Sequence, residues 1–154
     1  MLRTILIDDE VNCLKMLEWE LKTACPEVEV LAKCETGKDG LKAIKDFRPD
    51  LVFLDVEMPY MNGFEMLELA PQIDFEVVFT TAYDEYAVRA FKISAIDYLL
   101  KPIDSEELRR AVEKVLRKKQ LREPADNRRL DLLMETVKNP ARTGVQNIAL
   151  PTYD

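Results

Sequence analysis

Apolar runs alternate with segments of helical spacing along the first 121 residues of the chain. The apolar runs, rich in Val, Ile, Leu and Phe, cover residues 2–8, 27–34, 50–56, 75–82 and 95–100. The helical segments cover residues 11–24, 37–47, 64–69, 84–93 and 105–121. Continuous apolar runs are typical of strands that are covered on both faces, as in parallel sheets. The alternation therefore predicts an α/β fold in which helices wrap a doubly wound, five-stranded parallel sheet through right-handed crossovers.

The chain contains no histidine among its 154 residues. This excludes Ser/His and Cys/His catalysis, so any chemistry must use carboxylates, hydroxyls, lysines or a hard metal. The three cysteines, Cys13, Cys25 and Cys34, have no CxxC spacing and are expected to be reduced thiols. No apolar run approaches the roughly 18 residues of a membrane span, and the N-terminal segment does not have the pattern of a signal peptide. We expect a cytoplasmic protein without a membrane partner.

The net charge of -7 is distributed unevenly along the chain. Residues 1–104 carry 21 acidic and 11 basic side chains, whereas residues 105–129 carry 5 and 9. An acidic main body is a poor electrostatic partner for a phosphate backbone. The basic segment has interleaved acids and an apolar stripe made of Leu108, Val112, Val115 and Leu116. These features favour a helix docked on the domain with a solvated outer face over a nucleic-acid-binding helix.

Polar side chains stand at the carboxyl ends of four predicted strands. They are Asp8 and Asp9, Asp55, Thr80 and Thr81, and Lys101. The carboxyl ends of parallel strands meet at one edge, where open α/β sheets have their binding sites. Three carboxylates in one cleft repel each other by roughly 4 kcal/mol per pair at about 4 Å and an effective dielectric near 20, so they need a cation. Oxygen ligands alone indicate Mg²⁺.

Each of these residues has a simpler interpretation when it is considered alone. Two acids at a strand end are more often a solvated turn or a helix cap. Asp55 fits a turn residue before Pro59, Lys101 fits a surface lysine, and Thr81 fits a β-branched strand residue. Their coincidence at one edge of one sheet is what favours a functional site.

Four motifs follow one another in a set order: ILIDDE at 5–10, FLDVEMPYMNG at 53–63, FTTAYDEYAVRAF at 79–91 and DYLLKPI at 97–103. In this order they resemble the receiver domain of two-component response regulators, over residues 1–121. The segment DYLLKP after AYDEYA is similar to the LytTR (LytR/AlgR) subfamily. The resemblance implies a flavodoxin-like receiver (CheY-like) fold with strand order 2-1-3-4-5 and five helices.

The resemblance also implies a role for each matched residue. Asp55 is the expected phosphoacceptor, and its carboxylate also belongs to the expected metal site. Asp9 is expected to bind Mg²⁺ directly, Asp8 through water, and Glu57 through its backbone carbonyl. The carboxylate of Asp55 is expected to be ionised at neutral pH, so that no histidine is needed to activate it.

Three further residues are expected to respond to the phosphoryl group. Lys101 resembles the lysine that pairs with the phosphoryl oxygens, and the resemblance implies a cis bond between Lys101 and Pro102. Thr81 resembles the hydroxyl that closes on these oxygens afterwards. Tyr98 matches an aromatic switch position, although a half-buried strand tyrosine is an equally good interpretation. Phosphoryl transfer mainly requires positioning and charge neutralisation, which these groups can supply.

The implied function is a phosphorylation-dependent switch and not a metabolic enzyme, since the domain would catalyse only its own phosphorylation and dephosphorylation. The implied partners are a sensor histidine kinase and a second copy of the chain, in a homodimer that forms on phosphorylation. Two alternatives remain. A haloacid-dehalogenase-like phosphatase needs a DxD motif at its nucleophile, whereas residues 55–57 read DVE. A receiver-shaped interaction module without phosphorylation is disfavoured by the presence of Asp9, Asp55, Thr81 and Lys101.

Departures from the family pattern are few. Thr80 stands where an aliphatic residue is commoner, and Tyr60 stands where glycine or another small residue is frequent. Gly63, in the turn after Asp55, is expected to supply backbone freedom.

The tail after Leu121 is expected to form a linker with a short helix at 122–144. Residues 145–154, which contain IALPT, resemble the first strand of a LytTR DNA-binding domain. DNA contact would then depend on that domain. The chain would be a receiver and linker cut from a longer regulator, or a natural variant without its output domain.

Overall fold

The computed structural model describes residues 1–70, 73–86, 90 and 95–121. The chain divides into two compact units, Met1–Val115 and Leu116–Asp154. The first unit contains the whole sheet. In the second, the structure describes residues 116–121, the end of the last helix. The predicted linker at 122–144 and the predicted strand at 145–154 lie outside the described residues.

Five strands and four α-helices are present in the described residues. The strands are β1 (Leu2–Ile7), β2 (Val28–Cys34), β3 (Leu51–Asp55), β4 (Glu76–Thr81) and β5 (Asp97–Leu100). The helices are α1 (Val11–Ala24), α2 (Gly37–Phe47), α3 (Gly63–Leu69) and α4 (Ser105–Leu121). Across these described stretches, the helices are too short or too polar to span a membrane.

The sheet has the order β2-β1-β3-β4-β5, and each neighbouring pair is parallel. This confirms the predicted order. The chain moves outward from β1 in one direction to β2 and in the other through β3 to β5. The order therefore reverses beside β1 and β3, and the loops after these two strands border the crevice in which such sheets bind ligands.

Helix bounds were predictable because helices have clear start and stop residues. The predicted segments 11–24, 37–47 and 105–121 agree with α1, α2 and α4. Each predicted strand is one or two residues longer than the observed strand. The predicted helix at 84–93 begins as a 3-10 turn at Asp84–Tyr86, and Ala90 is helical; residues 87–89 and 91–94 lie outside the described part.

Both faces of the sheet are buried, which explains the continuous apolar runs. Every residue of β3 and β4 is buried. On one face, β1, β3 and β4 pack against α2 and α3, where the rings of Phe64 and Phe79 lie 4.9 Å apart between centroids. On α1 the buried residues are Leu14, Leu17 and Leu21, whereas Val11, which shares their helical spacing, is exposed.

The last helix, α4, is docked through an apolar stripe. Leu108, Ala111, Val112 and Val115 are buried, in agreement with the predicted docked helix. Arg109 joins this helix to the start of β2. Its Nη1 and Nη2 donate to the two carboxylate oxygens of Glu27 at 2.7 and 2.8 Å, and Nη1 also donates to the carbonyl of Ala24 at 3.2 Å.

The cysteines Cys13, Cys25 and Cys34 are free thiols, as predicted. Burial is the main cause that raises the pKa of Cys13 and Cys34 to about 11. Both thiols are therefore protonated at neutral pH.

Candidate functional site

The site begins where β1 and β3 end side by side. Ile7 pairs with Leu54, so the next residues, Asp8 and Asp55, meet at the same edge of the sheet. The backbone of Asp8 is held from the other side, since its N–H donates to the carbonyl of Cys34 at 3.0 Å. The parallel register thus brings together two carboxylates that lie 47 positions apart in the chain.

Three carboxylates form one cluster at this edge. Asp8, Asp9 and Asp55 each offer an oxygen, and these oxygens lie within 4.8 Å of one another. Asp8 is 5% exposed and Asp55 is 3% exposed, whereas Asp9 is half-buried. The sequence-based prediction that these residues converge is correct.

The carboxyl of Asp55 is difficult to ionise in this environment. Burial is the main cause, and with the nearby charge of Asp8 it raises the pKa of Asp55 from 3.8 to about 7, against the opposing effect of Lys101. Without a metal, Asp55 is therefore only partly ionised at neutral pH, which corrects the expectation of an ionised carboxylate. Sequence could place the carboxyl at a strand end but could not measure its desolvation.

Lys101 supplies a positive charge to the same cluster. Its Nζ lies 2.7 Å from Asp8 Oδ2 and 3.6 Å from Asp55 Oδ1. Burial lowers the pKa of Lys101, but the hydrogen bond to Asp8 and the charges of Asp55 and Asp8 outweigh this effect and raise it. Its backbone N–H donates to the carbonyl of Thr81 at 2.8 Å, and the bond to Pro102 is cis, as expected.

The donor set fits a hard divalent cation. With its acids ionised, the cluster of three carboxylates and one ammonium has an excess of negative charge, which a divalent cation would offset. Carboxylate oxygens at this spacing match the ligand chemistry of Mg²⁺, which commonly binds through one or two carboxylates together with water. Glu57, two residues beyond Asp55, has its backbone in the same loop, where its N–H donates to Asp55 Oδ1 at 3.3 Å.

The loop from Val56 to Asn62 is closed by hydrogen bonds at both ends. Gly63 N–H donates to the Val56 carbonyl at 2.9 Å, and Val56 N–H donates to the Thr80 carbonyl at 3.3 Å. Asn62 and Glu65 form a capping box at the start of α3, with both bonds at 2.9 Å. Sequence analysis missed this box, although Asn followed three residues later by Glu is its ordinary signature.

Gly63 does not have the role that the sequence suggested. Its φ is not positive, so backbone freedom is not what this position requires. A Cβ added at Gly63 would lie 2.5 Å from the backbone oxygen of Asp55. Glycine is needed here because α3 approaches β3 too closely for a side chain.

Tyr60 stands out at the tip of this loop. It is fully exposed and has a positive φ of 68°, and Met61 N–H donates across it to the Pro59 carbonyl at 2.7 Å, which is a γ-turn. A positive φ is strained for a bulky residue. Glycine, which is frequent at this position in the family, would not carry that strain.

The predicted switch residues lie on the adjacent strands. Thr81 is fully buried, and its Oγ1 accepts a hydrogen bond from Tyr83 N–H at 3.3 Å. Tyr98 is half-buried, packs against the core and donates its hydroxyl to the Tyr83 carbonyl. The backbone of Tyr83, a residue that was not predicted from the sequence, therefore joins the hydroxyl of Thr81 to the hydroxyl of Tyr98.

Known proteins place this fold and site in a family. The response regulator receiver domain model matches residues 4–113. The chain belongs to the response regulator receiver family, a class of signalling domains whose members bind Mg²⁺ in general.

Three similar proteins indicate the subfamily to which the receiver domain belongs. An uncharacterized response regulatory protein of Vibrio cholerae is 46% identical over 118 residues, which are 76% of this chain and 49% of that protein. Sensory transduction protein LytT of Bacillus cereus is 36% identical over 122 residues, 78% of this chain and 49% of LytT. Transcriptional regulatory protein BtsR of Escherichia coli K12 is 37% identical over 116 residues, 75% of this chain and 48% of BtsR. These relatives confirm the LytTR-type resemblance, and the chain spans about half of their length.

A solved structure confirms the fold. The REC domain of AraT, a response regulator of Geobacillus stearothermophilus, superposes with a TM-score of 0.72 at 30% identity, covering 80% of this chain and 98% of that domain.

Proposed function

We propose that Asp55 is the phosphoacceptor of this receiver domain. The observation that carries the proposal is the meeting of Asp8, Asp9, Asp55 and Lys101 at one edge of the sheet. Glu57 N–H donates to Asp55 Oδ1 at 3.3 Å, and Lys101 Nζ lies 3.6 Å from the same oxygen. This arrangement supports a carboxylate that attacks while its neighbours hold positive charge.

The residues of the cluster would have different roles in metal binding and phosphoryl transfer. Asp9 would hold Mg²⁺ directly and Asp8 through water, together with Asp55 and the backbone carbonyl of Glu57. Mg²⁺ bound there supplies positive charge to the phosphoryl oxygens and favours the ionised form of Asp55. Lys101 neutralises Asp8 in the resting site and is close enough to Asp55 to pair with an incoming phosphoryl group.

The transfer itself is a displacement at phosphorus. A carboxylate oxygen of Asp55 forms the new bond to phosphorus while the bond between phosphorus and the donor breaks, and its electron pair leaves with the donor. With acetyl phosphate as donor, acetate leaves. No proton has to be removed from an ionised carboxylate, which suits a chain without histidine.

The response to phosphorylation would pass through Thr81 and Tyr98. The Thr81 hydroxyl would leave Tyr83 N–H and turn to the phosphoryl oxygens. Because Tyr98 donates to the Tyr83 carbonyl, a shift of this loop changes the partner of the Tyr98 hydroxyl. The surface near β5 would change as a result.

The partners follow from the proposed switch. A sensor histidine kinase would donate the phosphoryl group, and phosphorylation would favour a homodimer. We assign residues 1–121 to the receiver, 122–144 to a linker and 145–154 to the start of a LytTR-type DNA-binding domain, through which DNA would be bound. The relatives LytT and BtsR, in which the matched part is about half of the length, support an output of this kind. Such a pathway operates in the cytoplasm.

The two alternatives are less well supported. A haloacid-dehalogenase-like phosphatase would carry a second aspartate two residues after its nucleophile, whereas that residue here is Glu57 and the aspartate pair follows β1. A module that is never phosphorylated would not need the buried and mutually repelling acids of this cluster.

Intact-mass spectrometry tests the proposal. The protein is incubated with acetyl phosphate and Mg²⁺, with EDTA replacing Mg²⁺ in a parallel sample. We expect one phosphoryl adduct on the wild type in Mg²⁺, and none in EDTA or on Asp55→Asn. An equal adduct on Asp55→Asn would rule out this phosphoacceptor, and steady release of phosphate from many phosphoesters would favour the phosphatase.

A further inference from the structure

We propose that Gly63 is a positioning residue for the metal-binding loop, and this inference rests on the proposed Mg²⁺-dependent function. Gly63 is the first residue of α3 and is not one of the proposed metal ligands. It acts through the backbone of Asp55 and through the loop that carries Glu57.

The first observation is the space at Gly63. A Cβ there would lie 2.5 Å from the Asp55 backbone oxygen, 3.3 Å from the Asp55 carbonyl carbon and 3.1 Å from Leu54 Cγ. Contacts under 3.0 Å to a Cβ essentially do not occur. Because the nearest atom belongs to the backbone, no side-chain rotation can relieve the clash.

The second observation is that neither side can move freely. Asp55 pairs with Thr80 in the sheet, and Val56 N–H donates to the Thr80 carbonyl, so retreat of β3 would disturb its ladder with β4. On the other side, α3 buries Phe64, Met66 and Leu67 in the core. A side chain at position 63 would therefore push apart the end of β3 and the start of α3.

The third observation connects this contact to the site. Gly63 N–H donates to the Val56 carbonyl at 2.9 Å, which closes the loop that contains Glu57. The proposed ligands Asp55 and Glu57 lie immediately on either side of Val56. Separation at Gly63 would alter the relative position of these two oxygen donors, to which Mg²⁺ is sensitive because it demands near-ideal octahedral geometry.

The variant Gly63→Ala tests the inference, with Gly40→Ala as a matched control. Gly40 is also a buried helical glycine, and its added Cβ would lie 2.6 Å from Ile7 Cδ1, the end of a side chain in the core. Both variants overpack the interior, but only the first presses on the backbone of Asp55. Mg²⁺ affinity is measured by isothermal titration calorimetry on proteins shown to be folded by circular dichroism.

We expect Gly63→Ala to bind Mg²⁺ about 10- to 100-fold more weakly than the wild type, the range typical of lost support for metal ligands. Gly40→Ala should keep the wild-type Mg²⁺ affinity, even if its melting temperature falls by as much as that of Gly63→Ala. Wild-type affinity in Gly63→Ala, or an equal loss in Gly40→Ala, would overturn the inference. If the wild type takes up phosphate from acetyl phosphate and Gly63→Ala binds Mg²⁺ equally well, the positioning role alone fails; if the wild type takes up none, the proposed function fails with it.

A measurement on the wild type covers the case in which Gly63→Ala does not fold. Amide hydrogen exchange is followed with Mg²⁺ and with EDTA. We expect Mg²⁺ to slow exchange at Gly63, whose N–H closes the loop, more than at Gly40, whose N–H donates to the Thr36 carbonyl at the start of α2. An unchanged exchange rate at Gly63 would contradict the inference.

Discussion

At Asp55, burial and the proposed function oppose each other. A phosphoacceptor must be ionised to attack, yet this carboxyl is 3% exposed and lies beside Asp8. Lys101 Nζ, which lies 3.6 Å from Asp55 Oδ1, offsets only part of the free-energy cost of ionising Asp55, and the pKa of Asp55 remains at about 7. The metal-free site is therefore a destabilised arrangement that a cation would relieve.

Asp55→Asn should stabilise the metal-free protein at neutral and higher pH. Native Asp55 keeps its proton up to about pH 7, whereas the unfolded carboxyl loses it near 3.8. The native state thus binds more protons between these values, and the unfolding free energy falls as pH rises through that window. In EDTA at pH 8, urea unfolding of Asp55→Asn should give a free energy about 1–3 kcal/mol higher than the wild type.

The control for this prediction is Asp46→Asn, which neutralises an exposed acid on α2. It should leave the pH dependence as in the wild type. If Asp55→Asn shows the same fall in stability with rising pH as the wild type, the raised pKa of Asp55 is contradicted.

At the scale of elements, the site depends on how strands and helices are anchored around it. The carboxyl ends of β1, β3, β4 and β5 supply the cluster and the switch residues, and α3 closes the loop after β3. Away from this site, Arg109 attaches α4 to Glu27, the residue that precedes β2. Its two parallel hydrogen bonds to Glu27 are the geometry that a guanidinium favours and an ammonium cannot reproduce.

Arg109→Lys should lower the unfolding free energy by about 1 kcal/mol, since one bidentate pair and the bond to the Ala24 carbonyl are lost at a partly exposed site. The hydrogen bond from Arg109 is the main cause that lowers the pKa of Glu27 from 4.5 to about 2. The stabilisation is therefore present above pH 4.5 and is lost as pH falls toward 2. Urea unfolding at pH 7 and pH 3 measures it.

A suitable control is Arg110→Lys, one residue along on the exposed side of α4. This substitution should leave the unfolding free energy unchanged at both pH values. A difference between Arg109→Lys and the wild type that is as large at pH 3 as at pH 7 would show that packing, and not the pair with Glu27, is responsible.

For the whole molecule, metal binding and folding should be linked. The cluster exists only when β1 and β3 are paired, so Mg²⁺ should bind the native state and not the unfolded chain. At a Mg²⁺ concentration of about 100 times Kd, this linkage stabilises the native state by about 2.7 kcal/mol. Thermal unfolding of the wild type with Mg²⁺ and with EDTA should show the corresponding rise in Tm.

Asp9→Asn should abolish most of this rise, since it removes a proposed direct ligand. Glu10→Gln is the matched control, because Glu10 is the next residue in the chain but does not belong to the cluster of acids. Its side chain is exposed and accepts a hydrogen bond from the Cys13 thiol. It should retain the full effect of Mg²⁺. An equal rise in Tm for Asp9→Asn and the wild type would place the cation elsewhere.

Much of the fold and of the candidate site could be predicted from the sequence because both depend on local patterns. Continuous apolar runs indicated buried parallel strands, and polar residues directly after them indicated one shared edge. Asp8, Asp9, Asp55 and Lys101 meet there, as predicted. The predicted strand bounds were one or two residues too long, because the last residue to pair depends on the neighbouring strand.

What the sequence alone determined was the set of elements and the residues at their ends, because side-chain periodicity and turn residues act over a few positions. Tertiary structure decided the rest. The pKa of Asp55 depends on burial and on Asp8, which comes from another strand. The need for glycine at position 63 depends on the approach of α3 to the backbone of β3. Such properties arise from distances between segments far apart in the chain, and only the packed molecule sets those distances.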